Sequence, residues 1–197
     1  MEYPQSFEEL VECFKLLPGI GGKGAERMTY HILEMDSEQA QRFSQAILNI
    51  KKKIKYCKKC GHICENDLCD ICQDSHRDHS TICVVENPKD VFAMEKLKEF
   101  QGVYHVLHGT MSIMDGKTIE DLNIQTLFDR LDDNIKEVII ATNPTREGET
   151  TALFLAKLLA KKNIPASRIA NGLPIGSNLD YADELTLLKS LEGRKKI

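Results

Sequence analysis

Apolar positions recur at helical spacing through the first 54 residues and at strand spacing after residue 80. In residues 7–17, Phe7, Leu10, Val11, Phe14 and Leu17 fall on one face, the pattern of an amphipathic helix. Ser6 stands where an N-cap belongs, and Glu9, three residues on, completes a capping box. Pro18-Gly19-Ile20-Gly21-Gly22 breaks that helix. A second helix is predicted from about Lys23 through Leu33. A third runs from about Ser37 to Ile54, with Ala40, Phe43, Ile47, Ile50 and Ile54 as its apolar stripe. Three short helices bury too little surface to stand alone, so this segment is expected to dock on a second copy of the chain.

From Thr81 the period changes. Ile82-Cys83-Val84-Val85, Val103-Tyr104-His105-Val106-Leu107, Glu137-Val138-Ile139-Ile140-Ala141 and Ser167-Arg168-Ile169-Ala170 read as strands, with helices predicted at about 88–99, 118–131 and 149–163 between them. Alternating β and α elements with strands of buried type mean a mostly parallel sheet carrying helices on both faces. Residues 180–192 form one more amphipathic helix. The expected fold class is therefore α/β with a small all-α N-terminal module. There is no internal repeat.

Composition narrows the class. With 42% apolar residues among 197, the chain can build a core. No apolar run approaches the ~20 residues of a membrane span. The start, Met1-Glu2-Tyr3-Pro4-Gln5, is neither basic nor followed by an apolar stretch, so no secretory signal is expected and the cytoplasm is the expected compartment. Residues 1–56 carry 8 Lys/Arg and 8 Asp/Glu, residues 57–80 carry 3 and 5, and residues 81–197 carry 15 and 17. No segment is a basic glove, so any nucleic-acid contact has to come from locally placed cations.

Seven cysteines stand at 13, 57, 60, 64, 69, 72 and 83, an odd number that argues for metal binding over a disulfide framework. Cys57-x₂-Cys60-x₈-Cys69-x₂-Cys72 gives two CxxC turns, each presenting two thiolates to one ion. Four thiolates make a closed tetrahedral Zn²⁺ site, structural because no position is left for substrate. The loop between the turns is too short for a core of its own, so the metal supplies its folding energy. Cys64 lies inside that loop as the odd thiol.

Leu16-Leu17-Pro18-Gly19-Ile20-Gly21-Gly22-Lys23-Gly24-Ala25 fits the hairpin of a helix-hairpin-helix. Glycines let the backbone turn tightly and approach a phosphate, while amides opening the next helix face the anion. Lys23 and Arg27, four apart, reach the same stretch of backbone and are blind to base sequence. An ordinary Gly-Pro turn between helices would use many of the same residues. A P-loop does not fit, because Gly24 follows Lys23 where Ser or Thr is needed.

Two strand ends carry the remaining chemistry. Val84-Val85-Glu86-Asn87-Pro88 closes the first strand, and Ile140-Ala141-Thr142-Asn143-Pro144-Thr145-Arg146-Glu147-Gly148-Glu149 follows a later one. In an open α/β sheet both ends point into the ligand crevice. A Glu opposed by two Asp residues there would hold Mg²⁺. Here Asn143 and Thr145 stand in those places, leaving one negative charge for an ion that sheds water reluctantly. A solvated strand end and a plain turn would account for Glu86 and for Asn143-Pro144-Thr145 taken singly. His108-Gly109 is a further candidate for lining the crevice, with a strand-end turn as the simpler account. The other histidines, His31, His62, His76, His79 and His105, show no HExxH arrangement, and Arg194-Lys195-Lys196 reads as a solvated tail.

In this order, the Gly-rich hairpin, the CxxC-x₈-CxxC knuckle and the Glu…NPTxEGE domain resemble the RecR family of bacterial recombination mediators. Gly172-Leu173-Pro174-Ile175-Gly176, Tyr181-Ala182-Asp183-Glu184-Leu185-Thr186-Leu187 and Leu191-Glu192-Gly193-Arg194 extend the resemblance over essentially the whole chain. Thr110 and Asn178 are mild departures, where a small residue and Asp are usual. The implied domains are residues 1–54, a helix-hairpin-helix for DNA binding and oligomerisation; 55–77, a zinc finger; 79–174, a Toprim domain; and 175–197, an oligomerisation segment. In the Toprim domains of topoisomerases and primases, acids occupy the places of Asn143 and Thr145, whereas Glu86, Glu147, Gly148 and Glu149 match.

The resemblance implies a non-catalytic clamp: a dimeric or tetrameric ring around single- or double-stranded DNA, nucleoid-associated when bound. With RecO and RecF it would load RecA recombinase onto gapped DNA. Gly19, Gly21, Gly22, Lys23 and Arg27 would face DNA, and Glu147 and Glu149 a partner protein. Zn²⁺ is the implied cofactor, with no Mg²⁺ requirement. The competing reading is a metal-dependent Toprim nuclease or topoisomerase-like enzyme using Glu86 with Glu147 or Glu149. A zinc-dependent, sequence-specific regulator fits poorly, since no helix has the character of a base reader.

Overall fold

A computed structural model describes residues 3–194, so Met1, Glu2 and the tail residues Lys195, Lys196 and Ile197 lie outside the described residues. The chain divides into two compact units, one ending at Ile54 and the other beginning at Lys55.

The first unit holds α1 (Gln5–Lys15), α2 (Gly22–Glu34) and α3 (Ser37–Lys53). The capping box expected at Ser6 and Glu9 does not form. Pro4 takes the N-cap position and its carbonyl accepts from the Phe7 and Glu8 amides at 2.9 and 3.1 Å, leaving Ser6 inside the helix. Proline's fixed φ already suits a helix start. Glu9 instead accepts from the Gln5 side-chain amide at 2.9 Å. α1 packs on α2 through Val11, Ala25 and Thr29, whose hydroxyl donates to the Ala25 carbonyl. Tyr3, Phe7 and Tyr30 stack at the edge, with centroids 4.5 Å apart for Tyr3–Phe7 and 4.8 Å for Phe7–Tyr30. α3 is capped by Asp36, which accepts from the Gln39 amide, and it buries none of its residues; Phe43, Ile47 and Ile50 stand exposed.

The second unit opens with a small knuckle, an antiparallel pair of β1 (Lys55–Tyr56) and β2 (Ile63–Cys64) followed by the single turn α4 (Asp70–Gln73). Then come β3 (Asp78–Val85), α5 (Pro88–Glu95), β4 (Gly102–Val106), α6 (Gln125–Phe128), β5 (Glu137–Ile140), α7 (Arg146–Lys161), β6 (Ala166–Arg168) and α8 (Glu184–Glu192). The four longer-range strands pair in the order β4-β3-β5-β6, all parallel.

Alternation along β3 splits the core in two. Ile82 and Val84 join Val138, Ile140, Leu155 and Leu159 beneath α7, whereas Cys83 and Val85 join Tyr104, Val106 and Val91 beneath α5. With helices on both faces, the connections leave β3 towards β4 in one direction and β5 towards β6 in the other. The order therefore reverses between β3 and β5, and a ligand crevice opens at such a switch point.

Three helices are shorter than their sequence pattern; the one expected over 180–192 begins only at Glu184, after a 3₁₀ turn at Leu179–Tyr181. Instead of a helix over residues 118–131 there is a 3₁₀ turn, Ile119–Asp121, and the one-turn α6. Leu122 is extended, and Asn123 is drawn to the sheet, its amide N–H to the Leu107 carbonyl and its side chain to the Val106 carbonyl, both at 2.9 Å. A continuous helix would break both bonds. The helix expected over 88–99 stops at Glu95, and Lys98 adopts positive φ as the chain reverses towards β4. α7 begins earlier than the apolar pattern suggests because Thr145 caps it, accepting from the Gly148 amide.

Candidate functional site

The knuckle brings Cys57, Cys60, Cys69 and Cys72 together, all buried, with their sulfurs within 4.8 Å of one another. Two amides point at sulfurs: His62 N–H at Cys60 Sγ (3.4 Å) and Cys69 N–H at Cys57 Sγ (3.3 Å). The first CxxC turn is closed by Gly61 N–H to the Cys57 carbonyl and by Cys57 N–H to the His62 carbonyl. Only glycine fits at position 61. Its φ is +75°, and a Cβ would lie 2.5 Å from Asn123 Nδ2 and 3.0 Å from the Val106 carbonyl.

Thiols packed this closely share protons instead of ionising together. Cys60 and Cys69 share a hydrogen bond across 3.6 Å; that contact holds Cys60 above the ordinary thiol range, while its contacts with Cys60 and Cys72 pull Cys69 well below it. A second thiolate therefore needs a cation. Four soft sulfurs with no open position fit a structural Zn²⁺. Cys64 does not join them; its Sγ donates to the Asn66 carbonyl at 2.9 Å.

At the hairpin, Gly19 has φ +81°, a turn conformation that glycine adopts without strain. Gly21 and Gly22 have no such need. Gly21 lies at φ −86° as the N-cap of α2, a Cβ on it would meet nothing within 4 Å, and one on Gly22 would touch only Lys15 at 3.8 Å. No side chain caps α2 and its first turn holds no acid, so the opening amides face outward with the helix dipole behind them. Lys23 and Arg27 lie on this helix, and neither takes part in an ion pair among the described residues.

In the crevice, Glu86 directly follows β3 and is 7% exposed. Asn143, three residues past β5, donates twice to it: backbone N–H to Oε1 at 2.7 Å and side-chain amide to Oε2 at 2.6 Å. Both carboxylate oxygens are thus already bonded by a neutral partner. Gly148 permits this approach, since a Cβ there would overlap the Asn143 carbonyl and sit 2.9 Å from Glu86 Oε1. Thr145 serves as the α7 cap. Glu147 is exposed, and Glu149 pairs with Arg168 at 2.7 Å, which holds its pKa below the usual carboxylate range.

His108, a candidate lining residue, turns away instead. Its ring packs on Tyr56 of the knuckle with centroids 4.3 Å apart, and burial lowers its pKa. Only the amide of the following Gly109 returns towards the crevice, bonding the Glu86 carbonyl at 3.0 Å.

Family models match nearly the whole chain in succession. One described as RecR, helix-hairpin-helix, matches residues 7–51; one for the RecR zinc finger domain of the four-cysteine type, residues 54–74; a Toprim domain, residues 80–170; and one described as RecR, C-terminal, residues 172–195. The chain belongs to the RecR family. Membership places the protein in recombinational DNA repair and gives it DNA as a ligand. The zinc-finger match falls on the four clustered sulfurs, so Zn²⁺ is the structural metal of this RecR chain.

Sequence reasoning placed the hairpin glycines, the four cysteines and the Glu86 and Asn143 strand ends. It missed three internal arginines, Arg77, Arg130 and Arg168, each of which bonds a backbone carbonyl at a sheet edge or strand end. No local motif surrounds them; a lone Arg in a polar stretch carries no signal until the fold brings its partners together.

Proposed function

We propose that the protein is a non-catalytic DNA clamp, working with RecO and RecF to load RecA recombinase onto gapped DNA. The observation that carries this reading is the opening of α2. Gly21 and Gly22 are needed neither for backbone conformation nor for internal space, so their missing side chains make room for something outside the chain. A phosphate approaching the uncapped amides, flanked by Lys23 and Arg27, accounts for that room and ignores base sequence.

The crevice supports the non-catalytic half of the reading. A carboxylate whose two oxygens already accept from Asn143 has little left for a divalent ion, and Thr145 is engaged in capping α7. Zinc then serves the fold, without a Mg²⁺ requirement. The exposed Glu147, with Glu149 beside it, is the proposed contact for a partner protein. The unburied apolar stripe of α3 and the exposed Leu185, Leu188 and Leu191 of α8 suit self-association through residues 1–54 and 175–197, around the zinc finger at 55–77 and the Toprim domain at 79–174. A dimeric or tetrameric ring would gather few cations per chain into one lining, and avidity would make up for weak binding by each chain alone. Its place of work is the cytoplasm, at the nucleoid when bound.

The test is a salt titration of binding to single- and double-stranded oligonucleotides of unrelated sequence. Affinity is expected to be equal across sequences and to fall linearly in log–log form with salt. Lys23→Ala with Arg27→Ala is expected to reduce that slope by about one for each phosphate no longer neutralised. Unchanged affinity and slope in the double variant, at unchanged oligomeric mass, would overturn the hairpin assignment.

A further inference from the structure

Three arginines of the second unit reach inward to main-chain carbonyls, and two of them have a carboxylate beside them. Arg77 bonds the Phe100 and Gly102 carbonyls and pairs with Glu95. Arg168 bonds the Ile140 carbonyl and pairs with Glu149. Arg130 donates from Nη1 to the Tyr104 carbonyl at 2.8 Å, and its Nε, like that of Arg168, is buried without any partner, but unlike the other two it has no ion pair among the described residues. A guanidinium taken out of water demands an anion, and none of the described carboxylates supplies it.

What lies beside Arg130 is the knuckle. Tyr104, whose carbonyl it holds, is two residues from Val106, whose amide donates to the Cys60 carbonyl at 2.7 Å. Arg130 also shares the wall of a surface cavity of about 420 Å³ with Lys59, the residue before Cys60, and with Asp129 and Asp132, neither of which forms an ion pair with it. Burial holds the pKa of Arg130 below the ordinary guanidinium range, and charge on the four cysteines works against that lowering. Of the lysines in and beside the first CxxC turn, Lys55 and Lys58 both pair with Asp67 at 2.7 Å on the surface, and the half-buried Lys59 takes part in no ion pair among the described residues.

We propose that Arg130 is the counter-charge of the zinc centre. Four thiolates around one Zn²⁺ leave two negative charges in a buried site, and the Arg130 guanidinium stabilises the thiolates there and so tightens the hold on the metal. It touches no substrate and is a positioning residue. The inference rests on the zinc assignment and adds to it a residue 58 to 73 positions beyond the four ligands, with no place in the cysteine motif. Arg77 and Arg168 mark the contrast: each has its own carboxylate, and of the three only Arg130 depends on the metal site for an opposing charge.

The experiment is competition for zinc between the full-length protein and a chromophoric chelator, read as zinc affinity and as the rate of zinc release. It compares the wild type with Arg130→Gln, whose amide still donates a hydrogen bond without charge, and with Arg130→Lys, which keeps charge without the planar fork. Arg130→Gln is expected to lose about ten- to a hundredfold in affinity, the usual cost of removing an outer partner of a metal ligand, and Arg130→Lys to stay within a few-fold of wild type. Arg168→Gln, at an arginine that has Glu149, is expected to leave zinc affinity unchanged. Wild-type affinity in Arg130→Gln would overturn the proposal, as would an equal loss in Arg130→Lys, which would make the residue a geometric brace. Should Arg130→Gln fail to fold, zinc release from Arg130→Lys decides alone: near wild type supports the proposal, and release as fast as from unfolded chain overturns it. Wild-type protein holding no zinc would defeat the zinc assignment itself, a result distinct from all of these.

Discussion

Asn143 gives both of its donors to Glu86, and that pairing decides the character of the crevice. Replacing the amide by a carboxylate turns a donor into an acceptor and sets two negative groups within hydrogen-bond distance. Asn143→Asp is therefore expected to lower unfolding free energy by about 2 kcal/mol in urea titrations, with part of the loss recovered by Mn²⁺, which two opposed carboxylates would coordinate. Undiminished stability would show that the Asn143 side chain is not holding Glu86. A second residue-scale expectation concerns His105, fully buried in the sheet, with Nε2 2.6 Å from the Asn123 carbonyl and Nδ1 unpartnered. Burial lowers its pKa to about 4. The unfolded chain then binds a proton that the fold refuses between about pH 6.5 and pH 4, so stability falls as pH falls through that window, by up to about 1.4 kcal/mol per pH unit. Denaturant titrations at pH 7, 5.5 and 4 should show a flatter dependence in His105→Gln than in the wild type; equal slopes would contradict the assignment. Chemistry at this scale was legible where motif and geometry coincide. Glu86 and Asn143 could be read from strand ends, but the bond between them, which matters most, joins residues 57 apart in the chain.

The zinc knuckle does more for its neighbours than its size suggests. β4 is the edge of the parallel sheet, and its outward groups are met by the knuckle and its surroundings: Val106 N–H by the Cys60 carbonyl, Val106 C=O by Asn123, Tyr104 C=O by Arg130 and Gly102 C=O by Arg77. An uncovered edge of this kind invites pairing with other chains. Gly61→Ala is expected to displace the first CxxC turn from β4, because the new methyl would meet Asn123 and the Val106 carbonyl at positive φ. A loss of several °C in thermal midpoint, with concentration-dependent aggregation on zinc chelation, would be measured by calorimetry and light scattering. A variant as stable as wild type would show that the turn does not dock there. The cysteine ligands were plain in the sequence because their spacing is itself the geometry. The region 118–131 was not, since its helical periodicity competes with tertiary bonds from Asn123 that no local pattern encodes. Ser6 likewise lost its capping role to a proline two residues before it.

Across the whole molecule, four modules in RecR order carry very uneven internal support. The second unit, its sheet, flanking helices and knuckle together, holds nearly all of the buried core, whereas α3 and α8 contribute no buried residue among those described. Elements with apolar faces and nothing beneath them are what a self-associating protein leaves on its single chains. The parallel order of the sheet and the two-sided helix layers were legible from strand composition. The unburied stripes were legible too, as amphipathic patterns with no partner in the chain. The central claim at this scale is that the molecule holds DNA without cutting it. The most direct measurement incubates homogeneous protein with end-labelled nicked and single-stranded DNA in Mg²⁺ or Mn²⁺, following bound DNA and strand length in the same samples. DNA retained at full length throughout, with binding weakened by salt and by Lys23→Ala with Arg27→Ala, is the expected result. Shortened or rejoined strands that require the divalent ion and vanish in Glu86→Gln would contradict it.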